Sequence, residues 1–91
     1  MLSIEARIFL LSEDEGGLRA FSGMQPSMNV NGELIMCKII DGPEGEPMAL
    51  GQEHDVRIDL PYGERFQDAI RSGFQFGLNY GGRVLGRGEV L

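Results

Sequence analysis

The sequence predicts an all-β fold, either a closed barrel or a sandwich, with about six strands. Apolar and polar residues alternate along most of the chain, which is typical of strands with one buried and one solvated face. Fourteen of the 91 residues are glycine, about twice the usual ~7%. Glycine weakens helices and suits turns, bulges and close backbone approaches. The length predicts one small domain over residues 1–91.

In the first half of the chain, the first strand is predicted around one buried face, Ile4, Ala6, Ile8 and Leu10. A short extended segment at 27–30 precedes the run ELIMCKII, residues 33–40. That run is apolar on both faces except at Glu33 and Lys38, so we expect a central strand covered on both sides. Asn31-Gly32 predicts either a two-residue hairpin turn or a bulge in one longer strand. Residues 41–47, with two glycines and two prolines, predict a loop.

In the second half, the alternation continues over residues 54–60 and 74–80, which predicts two more strands. Residues 64–73 have weak helical spacing and predict one or two helical turns, ended by a glycine. The last strand is predicted over 83–91. Gly81-Gly82, directly before it, predicts a two-residue hairpin turn, because both positions of such a turn need positive φ.

The net charge of −6 bears on the class of partner. The chain has seven arginines and one lysine, Lys38, and they are scattered. Because nucleic-acid binding needs clustered basic residues, the composition disfavours it. A single cysteine cannot form an internal disulfide. No basic leader and no apolar run of ~18–20 residues is present, so we expect a cytoplasmic protein that does not enter a membrane.

The stretch GGRVLGRG, residues 81–88, is close to the phosphate-binding motif G-x-x-x-x-G-K-[ST]. It departs from the motif in two positions, because Arg87 replaces the lysine and Gly88 replaces the Ser/Thr. The three residues that follow alternate as in a strand, whereas a phosphate loop needs a helix there. The sequence therefore predicts a closing hairpin and no nucleotide.

Candidates for catalysis or metal binding are few. His54 is the only histidine, and no nucleophile or acid partner for it is identified. Cys37 lies in a strand, where a packed thiol is the common case. One cysteine and one histidine cannot form a structural zinc site, and the acidic run of residues 12–17 lacks the alternating oxygen ligands of a calcium loop. We expect no catalytic site, metal or cofactor.

Three segments together carry a resemblance to a known family. Residues 6–26, ARIFLLSEDEGGLRAFSGMQP, resemble the start of the third domain of elongation factor Tu. Residues 48–60 are similar to a later strand of that domain, and residues 74–90 to its closing hairpin, G-G-R-x-V-G-x-G-x-V. The resemblance implies a six-stranded antiparallel β-barrel. It also assigns a structural role to seven glycines: Gly16, Gly17, Gly23, Gly81, Gly82, Gly86 and Gly88.

In that family the domain helps to hold the T-arm side of aminoacyl-tRNA. Most of the basic positions differ here: the Arg-His after the first Gly-Gly is Leu18-Arg19, and the Arg before the proline is Gln25. The Arg-Glu ahead of the last Gly-Gly is Asn79-Tyr80 here. The tRNA-facing segments of the family run from the first Gly-Gly to the strand after the proline and include the residues around the last Gly-Gly, and the basic residues left there are Arg19 and Arg83. The glycines and barrel positions that define the fold match the family, while most of its basic residues are absent here. A shared fold alone does not imply a shared function.

The sequence therefore predicts a non-catalytic binding module with a protein partner, and a tRNA-binding, translation-linked protein as the alternative. A homo-oligomer formed through an exposed strand edge is a further expectation. For Phe21 and Met28, filling the barrel is an equally supported interpretation. The predicted contact surface comprises Leu18, Arg19, Phe21, Met24, Gln25, Met28, Tyr80 and Arg83.

Overall fold

The computed structural model describes residues 1–91 and shows an all-β chain with no α-helix. Its main sheet is antiparallel and has seven strands, in the order β4-β3-β8-β9-β1-β7-β5, while β2 and β6 form a separate pair. Two short 3₁₀ turns cover Glu13–Glu15 and Gly63–Phe66. The strands are β1 (Leu2–Leu10), β2 (Ala20–Phe21), β3 (Ser27–Val30), β4 (Glu33–Met36), β5 (Lys38–Ile40), β6 (Pro47–Met48), β7 (Glu53–Leu60), β8 (Gln75–Tyr80) and β9 (Arg83–Val90).

The main sheet curls, and its two end strands are consecutive in the chain. β4 and β5 stand at opposite ends of the strand order, yet only Cys37 separates them. β4 pairs with β3, and β5 pairs with β7. The run 33–40, predicted as one strand, is therefore two strands with different neighbours, which gives seven strands in place of the expected six.

Asn31-Gly32 forms a two-residue hairpin turn between β3 and β4. Their φ angles are 53° and 92°, and Val30 pairs with Glu33 on either side of the turn. Positive φ at both central residues is the geometry whose twist matches that of the flanking strands. The hairpin alternative is confirmed, and the bulge alternative is not adopted.

The core lies on the concave side of the curled sheet. Ala6, Ile8 and Leu10 of β1 are buried, as their alternation predicts, and Ile4 packs against them. Alternate residues of β3, β7 and β8 also belong to the core: Met28, Val30, Val56, Ile58, Leu60, Phe76 and Leu78. Ile70 closes it from the 64–73 segment, where the predicted helix is reduced to a single 3₁₀ turn.

The expectation that residues 33–40 are covered on both sides is wrong. Ile35, Cys37 and Ile39 are buried, but the side chains of Leu34 and Met36 are 57% and 46% exposed. These two point away from the core, because successive strand residues point to opposite faces. No second layer packs on the outer face of β4, so its apolar side chains remain in solvent.

Gly81-Gly82 forms the predicted turn between β8 and β9, with φ angles of 59° and 79°. The ladder of these strands shifts register between Leu78 and Asn79, which leaves Leu85 as an extra residue on β9. Such a bulge increases the local twist of a strand pair. The predicted closing hairpin is thus confirmed. Neither 3₁₀ turn is long or apolar enough to cross a membrane.

Candidate functional site

The structure separates the residues of the predicted contact surface. Met24 and Met28 are 2% and 0% exposed and belong to the core, so they cannot contribute to an outer surface. Leu18 and Phe21 are half-buried and pack against the core. Four residues of the set are exposed: Arg19, Gln25, Tyr80 and Arg83. Core filling was the alternative interpretation for Met28, and the structure supports it.

Two of the segments that the resemblance associates with RNA do meet. The Arg83 side chain donates a hydrogen bond from Nη2 to the carbonyl oxygen of Gly16 at 3.2 Å. Ser27 pairs with Asn79, which brings the start of β3 near the Tyr80 end of β8. Arg83 is hydrogen-bonded to the backbone there. Arg19, the other exposed arginine of these segments, makes no hydrogen bond or ion pair within the protein.

The free edge of β4 is a different surface, formed by Leu34 and Met36. In a hairpin with a two-residue turn, the residues that flank the turn exchange backbone hydrogen bonds, and every second residue does so after them. Glu33 and Ile35 therefore direct their backbone groups towards β3. Cys37 continues this pattern, since its N–H donates to the carbonyl oxygen of Pro26 at 3.0 Å. Leu34 and Met36 direct their N–H and C=O groups away from β3, where no strand pairs with β4.

The edge is free because β7 ends too early to cover it. β5 pairs Lys38 with Asp59 and Ile40 with Arg57, and extending that register by two residues would place Met36 opposite Pro61. Proline has no N–H to donate to a ladder. β7 stops at Leu60, and the chain turns away into the 3₁₀ turn. The polar backbone of β4 is thus left available on this side.

The side chains make this edge unusual. Leu34 and Met36 expose apolar surface at the same place as the unpaired backbone groups. Natural proteins usually protect edge strands with charges, prolines or bulges within the strand. Here the charges stand only at the two ends, Glu33 before the pair and Lys38 after it. Val84 is similarly exposed, at 55%, but it belongs to β9, which lies between β8 and β1.

An open groove of about 680 Å³ lies on the outer face of the sheet, where it is lined by residues of β1, β3, β7, β8 and β9 and by Asn31 of the turn before β4. Its floor is open at Gly77, which has no side chain and pairs with Asn29 of β3. Arg87 crosses it with its guanidinium 4.4 Å from the centre of the Phe9 ring. The other polar side chains of the groove are Arg7, Asn29, Asn31, Glu53, Gln75 and Glu89. With two arginines and two glutamates, the groove has no net charge.

Cys37 and His54 both make contacts within the fold. Burial raises the pKa of the Cys37 thiol to about 12, so it stays protonated at neutral pH, and it donates a hydrogen bond to the Pro26 carbonyl at 3.4 Å. A thiol is a nucleophile only as the thiolate. The His54 Nε2 lies 2.7 Å from the Ala49 carbonyl, and its Nδ1 lies 3.7 Å from a carboxylate oxygen of Asp41. The ring therefore links β7 to the two preceding loops.

Sequence reasoning missed Leu34 and Met36 because their run has the composition of a covered strand. The one signal that bears on them is distant: Pro61 directly follows the alternating segment 54–60, and proline ends the pairing of a strand. Using that signal requires knowing that residues 33–40 pair with this segment. No protein-family model matches the chain.

Proposed function

We propose that this protein is a non-catalytic protein-binding module that receives a β-strand of its partner at the free edge of β4. The observation that carries the proposal is the coincidence of unpaired backbone groups and exposed apolar side chains at Leu34 and Met36. In strand addition, main-chain hydrogen bonds supply affinity and alternate side chains supply specificity. Both elements are present at this edge.

We also propose that the curled sheet is a six-stranded barrel of the kind found in the third domain of elongation factor Tu. In this interpretation β4, Cys37 and β5 count as one strand that bends from β3 to β7. The order of the remaining strands, β3-β8-β9-β1-β7, then completes a ring. The alternative function, a translation-linked tRNA-binding protein, rests on the resemblance alone.

Affinity capture with three matched variants tests the proposed function. The immobilised wild type is compared with Leu34→Lys and Met36→Lys, which place a charge on the edge. Val84→Lys is the control, because it adds the same charge at an equally exposed apolar position away from the edge. We expect proteins captured by the wild type from an extract of its own cells to be lost with both edge variants and kept with the control.

The variants should all fold, because the substituted side chains lie mostly in solvent, and surface substitutions usually change stability by less than about 0.5 kcal/mol. Circular dichroism and thermal unfolding check this before capture. If both edge variants retain every protein that the wild type binds, the free edge is not the binding site and the proposal fails.

A further inference from the structure

We propose that the strand received at the free edge is β4 of a second copy of this chain, so that the two copies pair antiparallel about a twofold axis at Ile35. This inference rests on the proposed function and deepens it by naming the partner. In the paired state the two curled sheets are joined edge to edge through β4. Isologous pairing of this kind is the commonest symmetry among homo-oligomers.

The backbone fixes the register. Antiparallel ladder bonds form between residues whose N–H and C=O groups face the neighbouring strand, which on this edge are Leu34 and Met36. Pairing Leu34 with Met36 of the second copy satisfies both residues on both chains. The pairing needs no residue beyond Met36, and this matters because Lys38 is already paired with Asp59 of β7.

The side chains are self-complementary in this register. Leu34 of one copy lies opposite Met36 of the other, twice by symmetry, so each exposed apolar side chain meets an exposed apolar side chain. Directly opposed residues of an antiparallel pair have their Cβ atoms about 4.5–5.5 Å apart, which is contact distance for these side chains. Both pairs lie on the outer face of the sheet, where solvent now covers them.

Charge favours antiparallel over parallel self-pairing at this edge. The apolar pair Leu34 and Met36 is preceded by an acid, Glu33, and followed by a base, Lys38. Antiparallel self-pairing brings Glu33 of each copy to the end of the edge where Lys38 of the other copy lies, with the two side chains on opposite faces of the sheet. Parallel pairing would place acid beside acid and base beside base on the same face, which is destabilising. A copy of the strand run in reverse therefore matches its own edge in backbone direction and apolar side chains, and avoids like charges side by side.

Sedimentation equilibrium and amide hydrogen exchange test the inference on the whole chain. We expect a concentration-dependent dimer, and we expect the amides of Leu34 and Met36 to become protected from exchange as dimer forms. Met36→Pro should weaken the dimer by about tenfold or more, because it removes an N–H that points to the second copy while leaving the ladder with β3 intact. Leu34→Lys should weaken it likewise, and Val84→Lys should dimerise as the wild type does.

Each outcome decides the matter. A wild type that is monomeric at millimolar concentration overturns the inference, as does a dimer that persists unchanged in both edge variants. If the wild type is monomeric but the edge variants still lose captured proteins, the edge receives a foreign strand, and the proposed function survives without self-pairing. If the dimer forms without protection of Leu34 and Met36, another surface joins the copies and the inference falls.

Discussion

At Gly86 and Gly88, the absence of a side chain lets neighbouring strands approach closely. A Cβ at Gly86 would lie 2.2 Å from the carbonyl oxygen of Phe9, and one at Gly88 would lie 2.6 Å from the ring of Phe76. Gly77 differs from both, because a Cβ there would meet no atom nearer than 3.9 Å. Some glycines of these strands are therefore required by close packing and others are not, and substitution by alanine distinguishes the two kinds.

Gly86→Ala should destabilise the fold by about 1–3 kcal/mol. The clash is with backbone of β1, which can relieve it only by moving a strand of the core. Gly77→Ala should change the free energy of unfolding by less than about 0.5 kcal/mol, as for an unconstrained surface site. Urea unfolding at neutral pH measures both. Equal effects of the two substitutions would contradict this account of the close approach between β9 and β1.

Asp59 connects three neighbouring strands of the sheet. It lies on β7, opposite Ser3 of β1 and Lys38 of β5, and its carboxylate accepts a hydrogen bond from the Ser3 hydroxyl at 2.7 Å. Arg57 donates to the same carboxylate at 3.2 and 3.3 Å. Burial opposes the charge of Asp59, but the hydrogen bonds from Ser3 and Arg57 and the charges of Arg57 and Lys38 outweigh it and lower its pKa.

A lowered pKa makes the contribution of Asp59 dependent on pH. The stabilisation is fully present above the ordinary value of 3.8 and is lost as the pH falls through the lower value of the folded state. Asp59→Asn should cost about 1.5–2 kcal/mol at neutral pH, at the low end of the range for hydrogen bonds to charged groups, because Arg57 is half exposed. The difference between wild type and Asp59→Asn should shrink as the pH falls below 3.8.

Denaturant unfolding across this pH range measures the difference, and Asp68→Asn is the matched control. The Asp68 side chain is fully exposed, and Arg71 lies 3.9 Å from it. Because an exposed pair of this kind contributes little, the control should follow the wild type at every pH. A constant difference between wild type and Asp59→Asn down to the lowest pH would show that charge is not the source of the stabilisation.

The alternation of apolar residues predicted most strands of this sheet, because one buried face leaves a period of two. It correctly predicted most of the buried faces of β1, β7 and β8, although Tyr80 at the end of β8 is 42% exposed. The positive-φ turns were predicted from Asn31-Gly32 and Gly81-Gly82. It did not predict the division of residues 33–40. Local composition cannot show that a strand changes partners at Cys37, since that depends on where β7 ends.

The candidate site was harder to predict for the same reason. Met24 and Met28 are turned inward, whereas Leu34 and Met36, which belong to the largely apolar run 33–40, are turned outward. The sequence distinguishes the two pairs poorly, because each has the composition of core. The distinction depends on tertiary structure. β4 pairs with β3 on one side only, and β7 ends before Pro61, which leaves Leu34 and Met36 facing solvent.

At the scale of the whole molecule, the net charge of −6 acts on any association. The molecule measures 34 × 27 × 22 Å, and the Debye length is about 30 Å at 0.01 M salt and about 3 Å at 1 M. At low salt, two copies therefore repel each other across their full extent. At high salt only contacts at the interface remain, and the apolar contact between Leu34 and Met36 is not weakened by screening.

Raising the salt concentration should therefore strengthen the dimer and weaken any binding to tRNA. Phosphate binding releases counterions, so its affinity falls as salt rises. The logarithm of the binding constant falls against the logarithm of the salt concentration with a slope of about −0.7 to −0.9 for each phosphate neutralised. Sedimentation equilibrium and filter binding of tRNA at the same series of salt concentrations give the two signs directly. We expect tighter self-association from low to high salt and no retention of tRNA even at low salt, where Arg19 and Arg83 would act most strongly. Retention of tRNA that decreases with salt, in a chain that stays monomeric, would favour the RNA-binding alternative over the protein-binding edge.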